Sequence, residues 1–252
     1  MNIVVAMKQI PDLQQIRIRN RRPVMEDVPL TLGKIDRNAL EEGLRIRESM
    51  GDDSRVIVVS AGTPDVEDTV KEALAAGADE AFIVVDDGAG VRESSVSAAL
   101  LAEAVRRIGA VDMLLFGEGS GDNYSGQVGP RVAEILDLPQ VGYAGRVEMD
   151  GRTARITRVL EECEETVEVE LPVVVGILAD INEPRIPSVT QILKAGKKRR
   201  EIMDAADLAV ETGKQRIETV SNLAPETSRR REPVKTCEAL RTALEKEGFL
   251  GR

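Results

Sequence analysis

The chain has 252 residues, 42% of them hydrophobic and 31% charged, with a formal net charge of −10, no histidine, no tryptophan and two cysteines. This balance describes a globular protein with a sizeable core. It argues against nucleic acid as the main partner, since phosphate neutralisation needs a basic face and single-strand readers need aromatic platforms. Without an imidazole, most hydrolase and zinc chemistry is excluded, and the spacing of Cys163 and Cys237 suits no metal site.

Residues 2–7 form a short, continuously apolar run, which predicts a parallel strand covered on both faces. The opening residues read as that strand rather than as a signal peptide, and no apolar run is long enough to cross a bilayer. With two separated thiols, this fits a reducing cytosol, so a cytoplasmic protein without membrane insertion is expected. Residues 8–32 read as a surface excursion with a small hairpin and a basic patch at Arg17, Arg19, Arg21 and Arg22. Asp36 stands where it would cap a helix over residues 37–50, in which Leu40, Leu44 and Arg47 recur at helical spacing before Gly51. Residues 55–60 predict a second strand, and Ala61-Gly62-Thr63-Pro64 turns into a helix that carries Val66, Val70, Ala73 and Leu74 on one face. A third strand over 81–85, a helix over 94–108 and a fourth strand over 113–116 continue the alternation. Strands alternating with helices predict an α/β fold with a doubly wound, mostly parallel, Rossmann-like sheet.

The fourth strand runs into the glycine-rich loop 117–130, followed by a helical stretch at 131–136. A strand, a glycine-rich loop and a helix in that order can receive phosphate, because unpaired amides of the first helical turn point at the anion. The loop has neither the Lys-Ser/Thr of a P-loop nor the Gly-x-Gly-x-x-Gly spacing, and a simple tight turn is the plain alternative. In open α/β sheets ligands bind beyond the carboxyl ends of the strands where strand order reverses. Residues 6–9, 61–64 and 117–130 are thus three candidate walls of one crevice.

Beyond Leu138-Pro139 the period becomes two, over 142–148, 153–160 and 166–170, with Asp150-Gly151 as a hairpin turn and a return to a buried strand at 171–177. Cys163, inside the acidic turn 161–165, is expected to be an inert buried thiol. The organisation expected is a nucleotide-binding α/β domain over 1–181 with a small antiparallel hairpin region, then an extended C-terminal arm over 182–252. Within that arm, 188–194 reads as one or two helical turns. Lys194, Lys197, Lys198, Arg199 and Arg200 read as a solvated or partner-facing cluster, with a second basic run at 229–231. A strand over 215–220, a polar linker over 225–233 and an amphipathic helix over 234–247 complete the reading. An arm of this length outside the sheet needs a partner subunit to lie against.

Four stretches in register carry a resemblance: Val4-Val5-Ala6-Met7-Lys8-Gln9-Ile10-Pro11-Asp12, Ala73-Leu74-Ala75-Ala76-Gly77-Ala78-Asp79-Glu80-Ala81, Gly126-Gln127-Val128-Gly129-Pro130, and Asn182-Glu183-Pro184-Arg185 with Ile192-Leu193-Lys194-Ala195. Together they resemble the β subunit of electron transfer flavoproteins, from the first residue to about Leu208. The resemblance implies a heterodimer with an α subunit that carries FAD, and an adenine nucleotide in the β subunit's own crevice. That nucleotide is structural AMP in one branch. In the other it is a second FAD that accepts hydride from NADH and bifurcates the electrons, and the Gln127-Val128-Gly129-Pro130 ending is closer to this branch. Gly119, Gly121 and Gly126 are read as leaving room for the larger ligand.

Carried over by position, the implied cofactor-binding residues are Ala6, Gly33, Lys34, Ile35, Asp36, Ala61, Gly117, Gly119, Gly121, Asp122, Asn123, Ser125, Gly126, Gln127 and Val128. A partner-recognition loop falls on about 182–198, with Ile186, Val189, Ile192 and Leu193 as apolar anchors toward acyl-CoA dehydrogenase or quinone oxidoreductase type redox partners. The competing use of these four residues is to close the protein's own core. No general base is required, since electron and hydride transfer are the flavin's chemistry. The reading from another class is a stand-alone ATP- or AMP-sensing protein, which would have no use for residues 182–252.

Overall fold

The structure, a computed structural model, describes residues 1–51, 53–86, 93–210, 217–226, 231 and 233–250. In chain order the elements are β1 (Asn2–Ala6), β2 (Gln9–Pro11), β3 (Arg17–Arg19), β4 (Arg22–Val24), β5 (Leu30–Leu32), α1 (Lys34–Met50), β6 (Arg55–Gly62), α2 (Val66–Ala76), β7 (Glu80–Val85) and α3 (Ser94–Ile108). They continue with β8 (Met113–Gly117), α4 (Val128–Leu136), β9 (Gln140–Asp150), β10 (Thr153–Val159), β11 (Glu164–Glu170), β12 (Val173–Ile177), α5 (Val189–Ala195), β13 (Arg199–Asp204) and α6 (Cys237–Lys246). Two compact units result, one of Met1–Ile16 with Met25–Val220, the other of Arg17–Val24 with Ser221–Arg252.

The first unit is built on a nine-stranded sheet in the order β11-β10-β9-β12-β8-β1-β6-β7-β13. Seen from β1, the chain adds β6 and β7 on one side and then returns to place β8 on the other, both parallel to it. The order therefore reverses between β1 and β8. Each central strand sends alternate residues to opposite faces, as the period of two requires. Ile3, Val5, Val56, Val58, Met113 and Leu115 pack with Leu40, Leu44, Val70 and Leu74 of α1 and α2. Val4, Ile57, Val59, Leu114 and Phe116 pack with Leu101, Val105, Val132 and Ala133 of α3 and α4. Helices on both faces make the sheet doubly wound. Strands β9, β10 and β11 extend it as an antiparallel meander, with Asp150 paired to Thr153 across the expected turn.

Four local expectations are corrected. Arg199–Asp204 is a strand that pairs in parallel along the whole of β7, so the chain beyond residue 182 re-enters the sheet instead of staying outside it. The basic cluster is largely spent on that return. Lys198 Nζ donates to the carbonyls of Leu74 (2.9 Å) and Ala78 (2.6 Å), Arg199 bonds Glu80 and lies over the Phe82 ring, and Arg200 faces Glu67. Cys163 is exposed at the β10–β11 turn rather than buried. Residues 217–220 are irregular, and the rest of the strand expected over 215–220 lies outside the described residues, as does part of the linker and of the basic run at 229–231.

The second unit pairs a hairpin with the end of the chain. Asn20 and Arg21 both take positive φ at the β3–β4 turn, and the Arg21 guanidinium bonds Glu226 and the carbonyl of Ala224. Helix α6 is capped by Thr236, whose side chain accepts the Ala239 amide, and none of its residues is buried.

Candidate functional site

The three predicted walls meet at the carboxyl ends of β1, β6 and β8. Strand β1 ends at Ala6 and leads into Lys8, while β6 carries Ala61 one residue before the end of its register with β7. Ser60 Oγ donates to the Met7 carbonyl (2.6 Å), and the Met7 amide donates to Val59, so the β1 and β6 ends are stitched together. From β8 the chain enters the glycine-rich loop, whose residues 121–127 are all exposed, and then the N-terminus of α4.

Asp36 joins two of these walls, and it does so from inside a helix. Helix α1 starts at Lys34 with Gly33 at the cap position, so Asp36 sits in the first turn and caps nothing; this corrects the helix start read from the sequence. Asp36 is 8% exposed, and its carboxylate accepts the Lys8 amide at 2.8 Å on one side and packs closely against Gly117 on the other. Gly117 is required for that approach, because a Cβ there would stand 2.6 Å from Asp36 Oδ1. Burial pushes the Asp36 carboxyl up to about 7, against the Lys8 amide bond, the Lys8 charge and the nearby Gly117 amide, which favour the ionised form.

Such a shift has a definite sign. The folded protein holds a proton on Asp36 that the unfolded chain, titrating near 3.8, has already released. Stability is therefore highest below pH 3.8 as far as this group is concerned, declines as pH rises towards 7, and is flat above. Asp36→Asn should remove that slope. Urea midpoints at about pH 5 and pH 8 measure it, and an unchanged slope in the variant would assign the effect elsewhere.

The loop itself is pinned from within. Lys8 Nζ bonds both carboxylate oxygens of Asp122 at 2.8 and 2.6 Å and reaches Ser120 Oγ, which in turn donates to Asn123 Oδ1. Burial would raise the Asp122 carboxyl, but the Lys8 bonds outweigh it and hold it below the usual range. The Tyr124 hydroxyl donates to Glu118. Gln127 Oε1 accepts from Ser94 Oγ and from the Arg131 guanidinium, which ties the loop to α3 and α4. Gly126 takes φ +63°, the left-handed conformation that turns the chain into α4. Gly119 and Gly121 are closely packed: added Cβ atoms would meet the Tyr124 ring at 3.0 Å and Leu13 Cδ1 at 2.9 Å.

Sequence reading placed Gly33 to Asp36, Ala6, Ala61 and the 117–128 loop in one crevice, and the structure brings them to the same end of the sheet. It missed Lys8 as the closure of the loop, and no spacing signal marks a lone lysine after a strand. At the crevice mouth Asp122 is paired with the Lys8 ammonium and Glu118 accepts the Tyr124 hydroxyl, while the α4 amides of Val128 and Gly129 head a helix. This arrangement suits a phosphate-bearing ligand. Among the described residues no cluster of acidic or cysteine side chains could hold a metal.

Residues 24–208 match the family model described as the electron transfer flavoprotein domain. The chain is 38% identical over 214 residues to the electron transfer flavoprotein subunit beta of Thermoanaerobacterium thermosaccharolyticum, covering 84% of this chain and 81% of that protein. The chain belongs to the electron transfer flavoprotein β-subunit family. It is also 36% identical over 213 residues to the subunit beta of Clostridium acetobutylicum, with 84% and 81% coverage. To the caffeyl-CoA reductase-Etf complex subunit CarD of Acetobacterium woodii it is 32% identical over 212 residues, with 83% and 80% coverage.

In this β-subunit chain the motif Asn182-Glu183-Pro184-Arg185 is a latch onto α1. Asn182 exchanges hydrogen bonds with Asn38 and donates to Glu42, and the Arg185 guanidinium bonds Glu41 (2.8 and 3.1 Å) and Glu48 (2.6 and 3.2 Å). Burial would raise the Glu41 carboxyl, yet Arg185 and Arg45 hold it below the ordinary range. At the far end Lys198 is the second tether. Between these tethers Ser188 and Gln191 form a capping box that starts α5. Ile186 (93%), Val189 (74%), Ile192 (54%) and Leu193 (74%) are exposed, and only Ala195 of α5 is buried. These apolar side chains do not close the core. No helix among the described residues is long and apolar enough to cross a membrane.

Proposed function

We propose that this chain is the β subunit of a heterodimeric electron transfer flavoprotein, holds FAD in the crevice at the β1–β8 switch point, and takes part in NADH-dependent electron bifurcation. The observation that carries the reading is the loop after β8, whose Asp122 is paired with Lys8 while its exposed turn leads into the N-terminus of α4. The unpaired amides of the helix N-terminus are what an approaching anion would meet there. The amides of Gly126 to Val128 would hold the diphosphate, Lys8, Asp122 and Ser120 would keep the loop in shape, and Ala6 and Ala61 would leave a flat wall for adenosine. Bound FAD would supply hydride acceptance and one-electron transfer. The chain's own contribution is then position and electrostatics.

Toward redox partners, the tethered segment 186–193 is the docking element, and the relative named for a caffeyl-CoA reductase complex supports a partner that acts on CoA-linked substrates. Leu193→Arg should leave the melting temperature unchanged, since the side chain is 74% exposed, and should lower kcat/KM for the partner on the order of 10- to 100-fold. A partner rate equal to that of the unaltered protein would remove the segment from the interface.

The cofactor assignment is tested by extracting and quantifying bound ligands from the complex purified with its α subunit. Two FAD per heterodimer support a redox flavin on this chain. One FAD with one AMP would make it a structural, AMP-binding subunit and remove bifurcation.

A further inference from the structure

We infer that Asp36 is a positioning residue that couples the two walls of the nucleotide crevice and takes up a proton when an anionic ligand binds. The inference rests on the crevice being the nucleotide site. Its geometric basis is the placement of one buried carboxylate between the end of β1 and the start of the glycine-rich loop, bonded to the Lys8 amide and packed against Gly117. The contact at Gly117 is close enough to exclude a methyl group. Asp36 is thus turned to the protein walls, behind the loop that the ligand would face.

No ion pair involves Asp36 among the described residues. The charges facing it are Lys8, from the loop after β1, and Asp122, from the loop after β8, and Lys8 Nζ is committed to Asp122. On its own helix, Lys34 is exposed and Arg37 is engaged by Thr31 and Glu72. A carboxylate in this setting titrates near neutrality because burial disfavours its charge. A phosphate seated on the same loop adds a second negative charge nearby, which disfavours ionised Asp36 further. By linkage, whatever raises its proton affinity on binding must make binding tighter as pH falls through neutrality. The protonated carboxyl still accepts the Lys8 amide through its carbonyl oxygen and keeps its packing against Gly117, so the walls stay joined.

The experiment uses the complex with its α subunit, freed of nucleotide in this crevice, and measures FAD affinity at about pH 6 and pH 8.5. The wild type should bind roughly tenfold more tightly at the lower pH, which corresponds to a shift of about one pKa unit on Asp36. Asp36→Asn should flatten that dependence, and adenosine, which lacks phosphate, should bind with little pH dependence in both proteins. Should Asp36→Asn fail to fold, calorimetry of FAD binding to the wild type in two buffers of different ionisation enthalpy reads the proton directly. Uptake of up to about half a proton is expected near neutral pH, the most that a shift of about one pKa unit allows. No uptake, an equal slope in Asp36→Asn, or an equal slope with adenosine would overturn the role of Asp36. Failure of FAD to bind at either pH would overturn the FAD assignment itself.

Discussion

Arg185→Ala should lower stability by about 3 kcal/mol and free the segment that follows it. The magnitude follows from Glu41, whose side chain is 5% exposed and takes two hydrogen bonds from the Arg185 guanidinium and one from its backbone amide. Removing the guanidinium leaves that carboxylate buried with only Arg45, at 2.9 Å, as a cationic partner. The lost side chain also forms part of the wall of a cavity of about 460 Å³ between α1, α2 and the 184–200 segment, lined by Leu40, Leu44, Ala73, Pro184 and Ile192, so the cavity would grow. Glu48→Gln provides the contrast. Its carboxylate is half exposed, and exposed pairs contribute at most about 1 kcal/mol. Urea unfolding ranks the two variants, and hydrogen exchange over 182–198 reads the loosening. Equal stability of Arg185→Ala and Glu48→Gln would show that the latch is ornamental.

Gly117→Ala carries the second large effect, about 2–4 kcal/mol, with loss of the FAD binding proposed for this crevice. The new Cβ would lie 2.6 Å from Asp36 Oδ1 and 3.1 Å from both Asp36 N and Ile35 C, so the obstacle includes backbone that cannot rotate aside. Either the end of β8 withdraws from α1, or Asp36 turns away and the Lys8 amide loses its acceptor. Both outcomes misplace the glycine-rich loop. Gly119→Ala meets instead the exposed Tyr124 ring at 3.0 Å, which can swing outward, and should cost less than about 1 kcal/mol. Thermal melting with and without added FAD compares the pair. A Gly117→Ala protein as stable as Gly119→Ala would mean that the contact with Asp36 relaxes without consequence.

The element pattern was legible because its signals are local. Helix α3 lies where its apolar spacing puts it, β8 and β9 begin within a residue or two of the runs that predict them, and the hairpin turn at Asp150-Gly151 follows from turn chemistry. The crevice was legible because strand order at a switch point fixes which loops converge. Strand β13 was not. Its residues, Arg199-Arg200-Glu201-Ile202-Met203-Asp204, read as a charged run, and only the open edge of β7 turns them into a ladder whose arginines bond Glu80 and Glu67.

By itself, then, the sequence determined the doubly wound architecture, the end of the sheet where a ligand would sit, and the family. Each of these depends on periodicity, turn residues and motifs that neighbours along the chain carry together. Tertiary structure alone decided how those parts are used: that Asp36 joins two walls instead of capping a helix, that Lys8 neutralises Asp122, that Arg185 anchors on Glu41, and that Cys163 faces solvent. The partners in the first three of these pairs stand 28, 114 and 144 residues apart, and a pairing across such separations is set by packing geometry, which no local pattern encodes.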